Sequence, residues 1–166
     1  MSHLGSVVVA AIALLAVAAT PAYAEGPKDQ AALSGLNEVK VAFDLQNGDG
    51  KVLLKQLEVI DETRQSLIEQ GVKPQFVLTF RGPATALVQT DQSEIKPENR
   101  DYASKIAEKI HALRAADGVN SIEQCAVAVR LSGTKPENIV PDVKIVGNGW
   151  ISLMAYQAKG YGYIQP

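Results

Sequence analysis

One cysteine, Cys125, and two histidines, His3 and His111, are all that this chain of 166 residues offers of either type. A single cysteine excludes an intramolecular disulfide; in an exported chain it points to pairing between molecules or to a free thiol. A structural zinc site needs four ligands, usually Cys and His. His111, in "KIAEKIHALRAA", has no such neighbour at ligand spacing, so the sequence indicates no metal, and a mid-helix histidine is a poor triad base. An excess of charge is also missing. Sixteen basic against eighteen acidic residues leave a net charge of −2, with no block of either sign. That excludes the electrostatic footprint of a nucleic-acid binder. Neither repeats nor low-complexity tracts occur.

What is present begins with "MSHLGSVVVAAIALLAVAATPAYA", residues 1–24, which holds no Asp, Glu, Lys or Arg. Its apolar run, Val7 to Ala19, is followed by Ala22-Tyr23-Ala24 and then by polar "EGPKDQ". That is the pattern of a secretory signal peptide, although His3 and the α-amino group stand where Lys or Arg usually does. The run is shorter than the ~20 residues that usually span a bilayer. Cleavage after Ala24 is therefore expected over an uncleaved anchor, giving a periplasmic protein. Residues 25–166 then form one domain of normal size, with no further membrane span.

In that domain "EVKVAFDL" alternates Val39, Val41, Phe43 and Leu45 with strand period. After the loop "NGDG", the segment 51–70 carries Leu53, Leu57, Ile60, Leu67 and Ile68 near helical spacing and stops at Gly71. "QFVLTF" is a short apolar run, expected for a strand covered on both faces. Arg81-Gly82-Pro83 breaks it, and "ATALVQ" predicts one or two helical turns. Pro97 suits the first turn of the next helix, which puts Tyr102, Ile106, Ile110 and Leu113 on one stripe and ends at Gly118. "VKIVG", "NGWISLMAYQAKG" and "YGYIQP" predict strand, helix and strand. Alternation of this kind predicts an α/β fold: one doubly wound, mostly parallel sheet of five strands with helices on both faces, flavodoxin-like.

Nucleotide motifs fail. The third glycine of G-x-G-x-x-G after Gly48-Asp49-Gly50 would be residue 53, which is leucine. A P-loop fails at Val52, and a calcium loop from Asn47 fails at Lys51 and Val52. No cofactor is indicated. Arg81 and Gly82, by contrast, lie where the second strand ends, the end at which open α/β sheets bind ligands. The turn there leads into a helix start suited to an anion, or is a tight turn with an exposed arginine.

Cys125 has two placements. If "CAVAVRL" is the strand, the thiol lies near its start, buried and inert. If "VNSIEQ" is the strand, the chain turns at Cys125 and "AVAVRLSG" is a helical turn ending at Gly133. The thiol then sits at a strand's carboxyl end and at a helix start, whose positive end favours thiolate, the nucleophilic form. Connection length favours the second placement, because the first leaves "DGVNSIEQ" as a long loop.

The arrangement of "GVNSIEQC" (118–125), "PDVKIVGNG" (141–149), a close on "LMAYQAKGYGYIQP" (153–166) and "FRGPA" (80–84) resembles the exported branch of the DsrE/DsrF-like family. The resemblance covers essentially all of residues 25–166. It implies a small α/β domain of the sulfur relay and sulfur oxidation type. In such a domain Cys125 takes up sulfane sulfur as a persulfide and hands it to an acceptor. It also implies a homotrimer or homohexamer and a sulfur donor or acceptor protein as partner. Cys125 is the one residue to which it assigns a catalytic role; Arg81 and Gly82 are expected to hold the sulfur anion or substrate. Where the family often has small polar residues after the cysteine, this chain has "AVAVRL". That apolar flank supports the alternative, a noncatalytic binding or assembly module of the same fold. Trp150, Tyr156, Tyr161 and Tyr163 near the end suit an interface, although packing accounts for Trp150 and Tyr156 as well.

Overall fold

A computed structural model describes residues 28–166; the expected signal peptide, 1–24, lies outside the described residues. A short helix α1 (Gln30–Leu33) precedes β1 (Glu38–Leu45), whose alternation separates two faces. Val41, Phe43 and Leu45 enter the main core, with Phe43 edge-on to Phe76 at 5.0 Å between ring centroids. Asp49 caps α2 (Gly50–Glu69) by accepting from the Val52 N–H at 3.0 Å, the arrangement that serves an otherwise unpaired donor. Leu53, Leu57, Ile60 and Leu67 are buried as their spacing predicts. Ile68, assigned to the same stripe, is instead nearly half exposed, because residue 67 already fills the core position at that turn.

β2 (Lys73–Phe80) runs parallel to β1 in unbroken register from Glu38↔Lys73 to Leu45↔Phe80. A 3-10 turn, Gly82–Leu87, follows it at once. Pro97 opens a separate short turn, Pro97–Asn99, and α3 (Arg100–Arg114) begins only after it. Ile106, Ile110 and Leu113 of α3 are buried and Tyr102 half-buried. Gly118, at φ +85°, leads into β3 (Val119–Cys125); a Cβ there would meet Pro74 at 2.5 Å, so only glycine fits. Directly after β3 come α4 (Ala126–Ser132), β4 (Lys144–Val146), α5 (Gly149–Ala158) and β5 (Gly162–Ile164).

The five strands form one sheet in the order β4-β3-β2-β1-β5, and every neighbouring pair is parallel. Right-handed crossovers explain the layers. The chain steps from β1 to β3 in one direction, which puts α2 and α3 together on one face. It then returns across the sheet from β4 to β5, which puts α5 on the other face, against β1, β2 and β3. Because all strands are parallel, every strand-to-helix loop lies at the same carboxyl edge, and that edge carries the candidate site. No helix among the described residues is long and apolar enough to cross a membrane.

Candidate functional site

Three successive strand ends meet at one cavity of about 400 Å³, lined in part by Arg81, Gly82, Cys125, Leu131, Asn148 and Trp150. Cys125 is the last residue of β3 and the cap residue of α4, and Gly133 closes that helix at φ +73°. This is the second of the two sequence placements. Gln124, fully buried, ties the strand end down: its Nε2 donates to Thr85 Oγ1 at 2.9 Å and to the Cys125 carbonyl at 3.3 Å. Cys125 itself is only 5 % exposed, so what reaches the cavity is an edge of a buried residue.

The wall opposite the thiol is the amino end of α5. Asn148 caps that helix, accepting from the Trp150 N–H at 3.0 Å. A Cβ on Gly149 would lie 3.1 Å from Cys125 Cβ, 3.2 Å from Thr79 Cγ2 and 3.5 Å from Cys125 Sγ. Glycine here lets the helix end close on the thiol. Cys125 therefore stands between two helix starts, its own and that of α5, both of which present positive partial charge.

Arg81 and Gly82 line the same cavity as Cys125, and one edge of the Arg81 guanidinium is committed to Asp44. Arg81 donates Nε to Asp44 Oδ1 at 2.7 Å and Nη2 to Asp44 Oδ2 at 2.6 Å. Tyr163 donates its hydroxyl to the same Oδ2 at 2.6 Å. Burial works to lower the Arg81 pKa, yet the Asp44 contacts outweigh it and hold the guanidinium above its ordinary value. Its guanidinium carbon also lies 5.6 Å from the centre of the Trp150 ring. Beyond it, Gly82 takes φ +56°, Pro83 has no N–H, and the Ala84 N–H is used on the Gln46 carbonyl at 3.2 Å. The turn after β2 is thus a shaped wall in which neither Pro83 nor Ala84 offers a free N–H.

A polar row crosses the sheet beneath α5: Asp44, Thr79, Glu123 and Lys144 are register partners on β1, β2, β3 and β4. Asp44 and Glu123 are both buried. Glu123 is satisfied by hydroxyls: Ser121 at 2.9 Å, Tyr156 at 3.0 Å, and Ser152. Burial, then the Glu123 charge, raises the Tyr156 pKa above its ordinary value. Thr79 Oγ1, also buried, has no partner among the described atoms. Glu123 lies two residues before Cys125, hence on the same face of β3, but both its oxygens are engaged.

Sequence reasoning missed Asp44, Thr79, Glu123, Asn148 and Gly149. The available signal was an acid within an apolar strand, in "VAFDL" and again in "NSIEQC". Trp150 is 62 % exposed at the cavity lip, so core packing does not account for it. His111 is exposed on α3, its Nδ1 3.0 Å from Asp142 Oδ2.

In chemical terms the site is a nucleophile edge facing a small cavity with an apolar floor, a committed arginine and two helix starts. A protein of Aquifex aeolicus (strain VF5), described only as uncharacterized, is 26 % identical over 126 residues, covering 76 % of this chain and 55 % of that one. The chain thus spans about half the length of the curated relative it matches. A solved structure, that of a protein of unknown function from Methanobacterium thermoautotrophicum, aligns at a TM-score of 0.58. It is 18 % identical and covers 77 % of this chain and 99 % of that one, a likeness of fold. No family model matches the chain.

Proposed function

We infer that this is an exported, periplasmic sulfur-handling protein of DsrE-like type that carries sulfane sulfur on Cys125. The observation that supports this reading best is the position of the thiol: the last residue of β3, at the cavity and against Gly149 of α5. Ligands of open α/β sheets lie at that edge. The Cys125 thiol gives its proton to solvent and its thiolate attacks the terminal sulfur of a polysulfide. One S–S bond forms and one breaks, the shortened polysulfide leaves with the electron pair, and Cys125 holds a persulfide. With thiosulfate the leaving group is sulfite. No outside oxidant or reductant is needed in either case.

The arginine acts indirectly in this reading. Locked to Asp44 and facing Trp150, Arg81 shapes the cavity beside Gly82 more than it binds an anion outright. The exposed side chains Leu131, Trp150, Ile151 and Met154 suit burial against a second copy, in keeping with a homotrimer or homohexamer. A donor or acceptor protein would approach the same lip.

A second reading, a noncatalytic binding or assembly module, is favoured by the near-complete burial of Cys125 and its apolar flank Ala126, Val127 and Ala128. Intact-mass measurement after incubation with polysulfide separates the two. Addition of one sulfur atom to the wild type and none to Cys125→Ser supports the carrier. No addition, or equal addition to the variant, refutes it. Alkylation gives a second measure: a thiol that reacts in mildly acidic buffer supports chemistry, and one that reacts only in denaturant supports the module.

A further inference from the structure

Glu123 is a carboxylate that folding buries without a cation. It is 4 % exposed, and among the described residues no Lys or Arg forms an ion pair with it. Three hydroxyls serve it instead. Ser121 and Tyr156 donate to Oε1 at 2.9 and 3.0 Å, and Ser152 donates to Oε2. Exchanging buried charged groups for well-packed apolar ones is often neutral or stabilising, so stability alone is a weak reason for a carboxyl here. Two of the three hydroxyls come from outside the sheet. They belong to α5, the helix whose first residue, Gly149, packs on Cys125.

Strand and helix match along their length. On β3, Glu123 and Cys125 share a face. On α5, Gly149, Ser152 and Tyr156 follow at steps of three and four, hence on one side of the helix. Cys125 therefore meets Gly149, and Glu123 meets Ser152 and Tyr156. Apolar packing locates this helix only loosely. Gly149 and Leu153 are its buried residues, while Trp150, Ile151 and Met154 are each more than half exposed. Burial of one leucine is non-directional; hydrogen bonds to a carboxyl fixed in the sheet set a position.

We propose that Glu123 is a positioning residue for Cys125: through Ser152 and Tyr156 it holds the amino end of α5 against the thiol and so governs when Cys125 reacts. This rests on the reading that Cys125 is the reacting group. The thiol, in a residue only 5 % exposed, is reached when the α5 contact loosens, without unfolding of the sheet.

The test is the rate at which iodoacetamide modifies Cys125, the single cysteine of the full chain, across urea concentrations below the unfolding transition. The thiolate displaces iodide and no sulfur donor is involved. Local opening exposes little surface, so its rate changes little with urea, whereas global unfolding carries the full denaturant dependence. Ser152→Ala with Tyr156→Phe, which leaves Glu123 in place, speeds alkylation in native buffer by about tenfold or more, with a nearly flat urea dependence. Glu123→Leu does the same. Glu123→Gln, whose amide still bonds to both α5 hydroxyls, brings the rate back to within about threefold of wild type. The proposal is overturned if the double variant reacts at the wild-type rate, or if its faster reaction follows the global unfolding dependence. It is overturned as well if Glu123→Gln reacts as fast as Glu123→Leu. Should Glu123→Leu fail to fold, the double variant decides. A protein that takes up no sulfane sulfur yet shows these rates loses the persulfide reading and keeps the positioning role. Persulfide formation with rates unchanged in the double variant refutes the positioning role alone.

Discussion

Arg81 and Asp44 form a two-pronged ion pair, 2.7 and 2.6 Å, that joins the ends of β1 and β2 on the α5 side of the sheet. The Asp44 side chain is fully buried and that of Arg81 is 18 % exposed, so the two partners are not equivalent on loss of the other. Arg81→Met strands a carboxylate in the interior and costs about 3–5 kcal/mol. Asp44→Asn leaves the guanidinium partly wet and still within hydrogen-bond reach, so its cost is smaller. Urea unfolding of both variants checks the order; equal losses would mean that the burial asymmetry has no energetic consequence.

Tyr163 extends the pair to the edge strand β5, through its hydroxyl on Asp44 Oδ2. The hydrogen bond to Asp44, then burial, raises its pKa above the ordinary value. The folded state therefore keeps the phenol proton to higher pH than the unfolded chain. Stability from this contact is complete below the unfolded value of ~10 and is lost as pH rises through the higher folded one. Because the residue is 42 % exposed, Tyr163→Phe costs at most about 0.5–1 kcal/mol near neutrality. The variant also flattens the alkaline decline in thermal stability. An unchanged alkaline limb would refute this assignment.

Asp61 on α2 takes Lys109 Nζ at 2.6 Å from α3 and Arg64 Nη2 at 2.8 Å from its own helix. Burial works to raise its pKa, but Lys109 and Arg64 outweigh that and hold it below the usual carboxylate value. Its contribution is fully present above the unfolded value of ~3.9 and disappears as pH falls through the lower folded one. Asp61→Asn is expected to cost about 1 kcal/mol at neutral pH, with the gap to wild type closing in acid. Denaturant midpoints of the two proteins across pH give the answer directly.

Gly149→Ala tests the closure of α5 on the thiol. The new Cβ would fall 3.1 Å from Cys125 Cβ and 3.2 Å from Thr79 Cγ2, so the helix end must move outward. We expect a loss of about 1–3 kcal/mol and a changed rate of Cys125 alkylation in native buffer. A variant as stable as wild type with the same thiol reactivity would show that the contact is slack.

Much of the architecture was readable from local pattern. The alternation in "EVKVAFDL", the helical spacing of Leu53, Leu57 and Ile60, and the stops at Gly71 and Gly160 depend on backbone preference and period alone, whereas α3 ends at Arg114, short of the expected Gly118. The placement of Cys125 was left between two strands by the sequence, connection length favouring the one that the fold adopts, with Cys125 at the end of β3. The candidate site was legible only in part. Cys125, Arg81 and Gly82 could be assigned to strand ends, and they share a cavity. That Arg81 is bound by Asp44 could not be read, since the two are 37 residues apart and meet only through the β1–β2 register.

The sequence by itself determined which residues share a face, because side-chain period is a local property of each strand and helix. It did not determine what covers that face. Lys40, Ala42 and Asp44 alternate as an ordinary solvent side would, yet Asp44 is 1 % exposed. The difference comes from the return of α5 across the sheet, which brings Ser152 and Tyr156 onto Glu123 and Gly149 onto Cys125. Only the folded chain decides such burial, since it depends on the direction in which the crossovers turn.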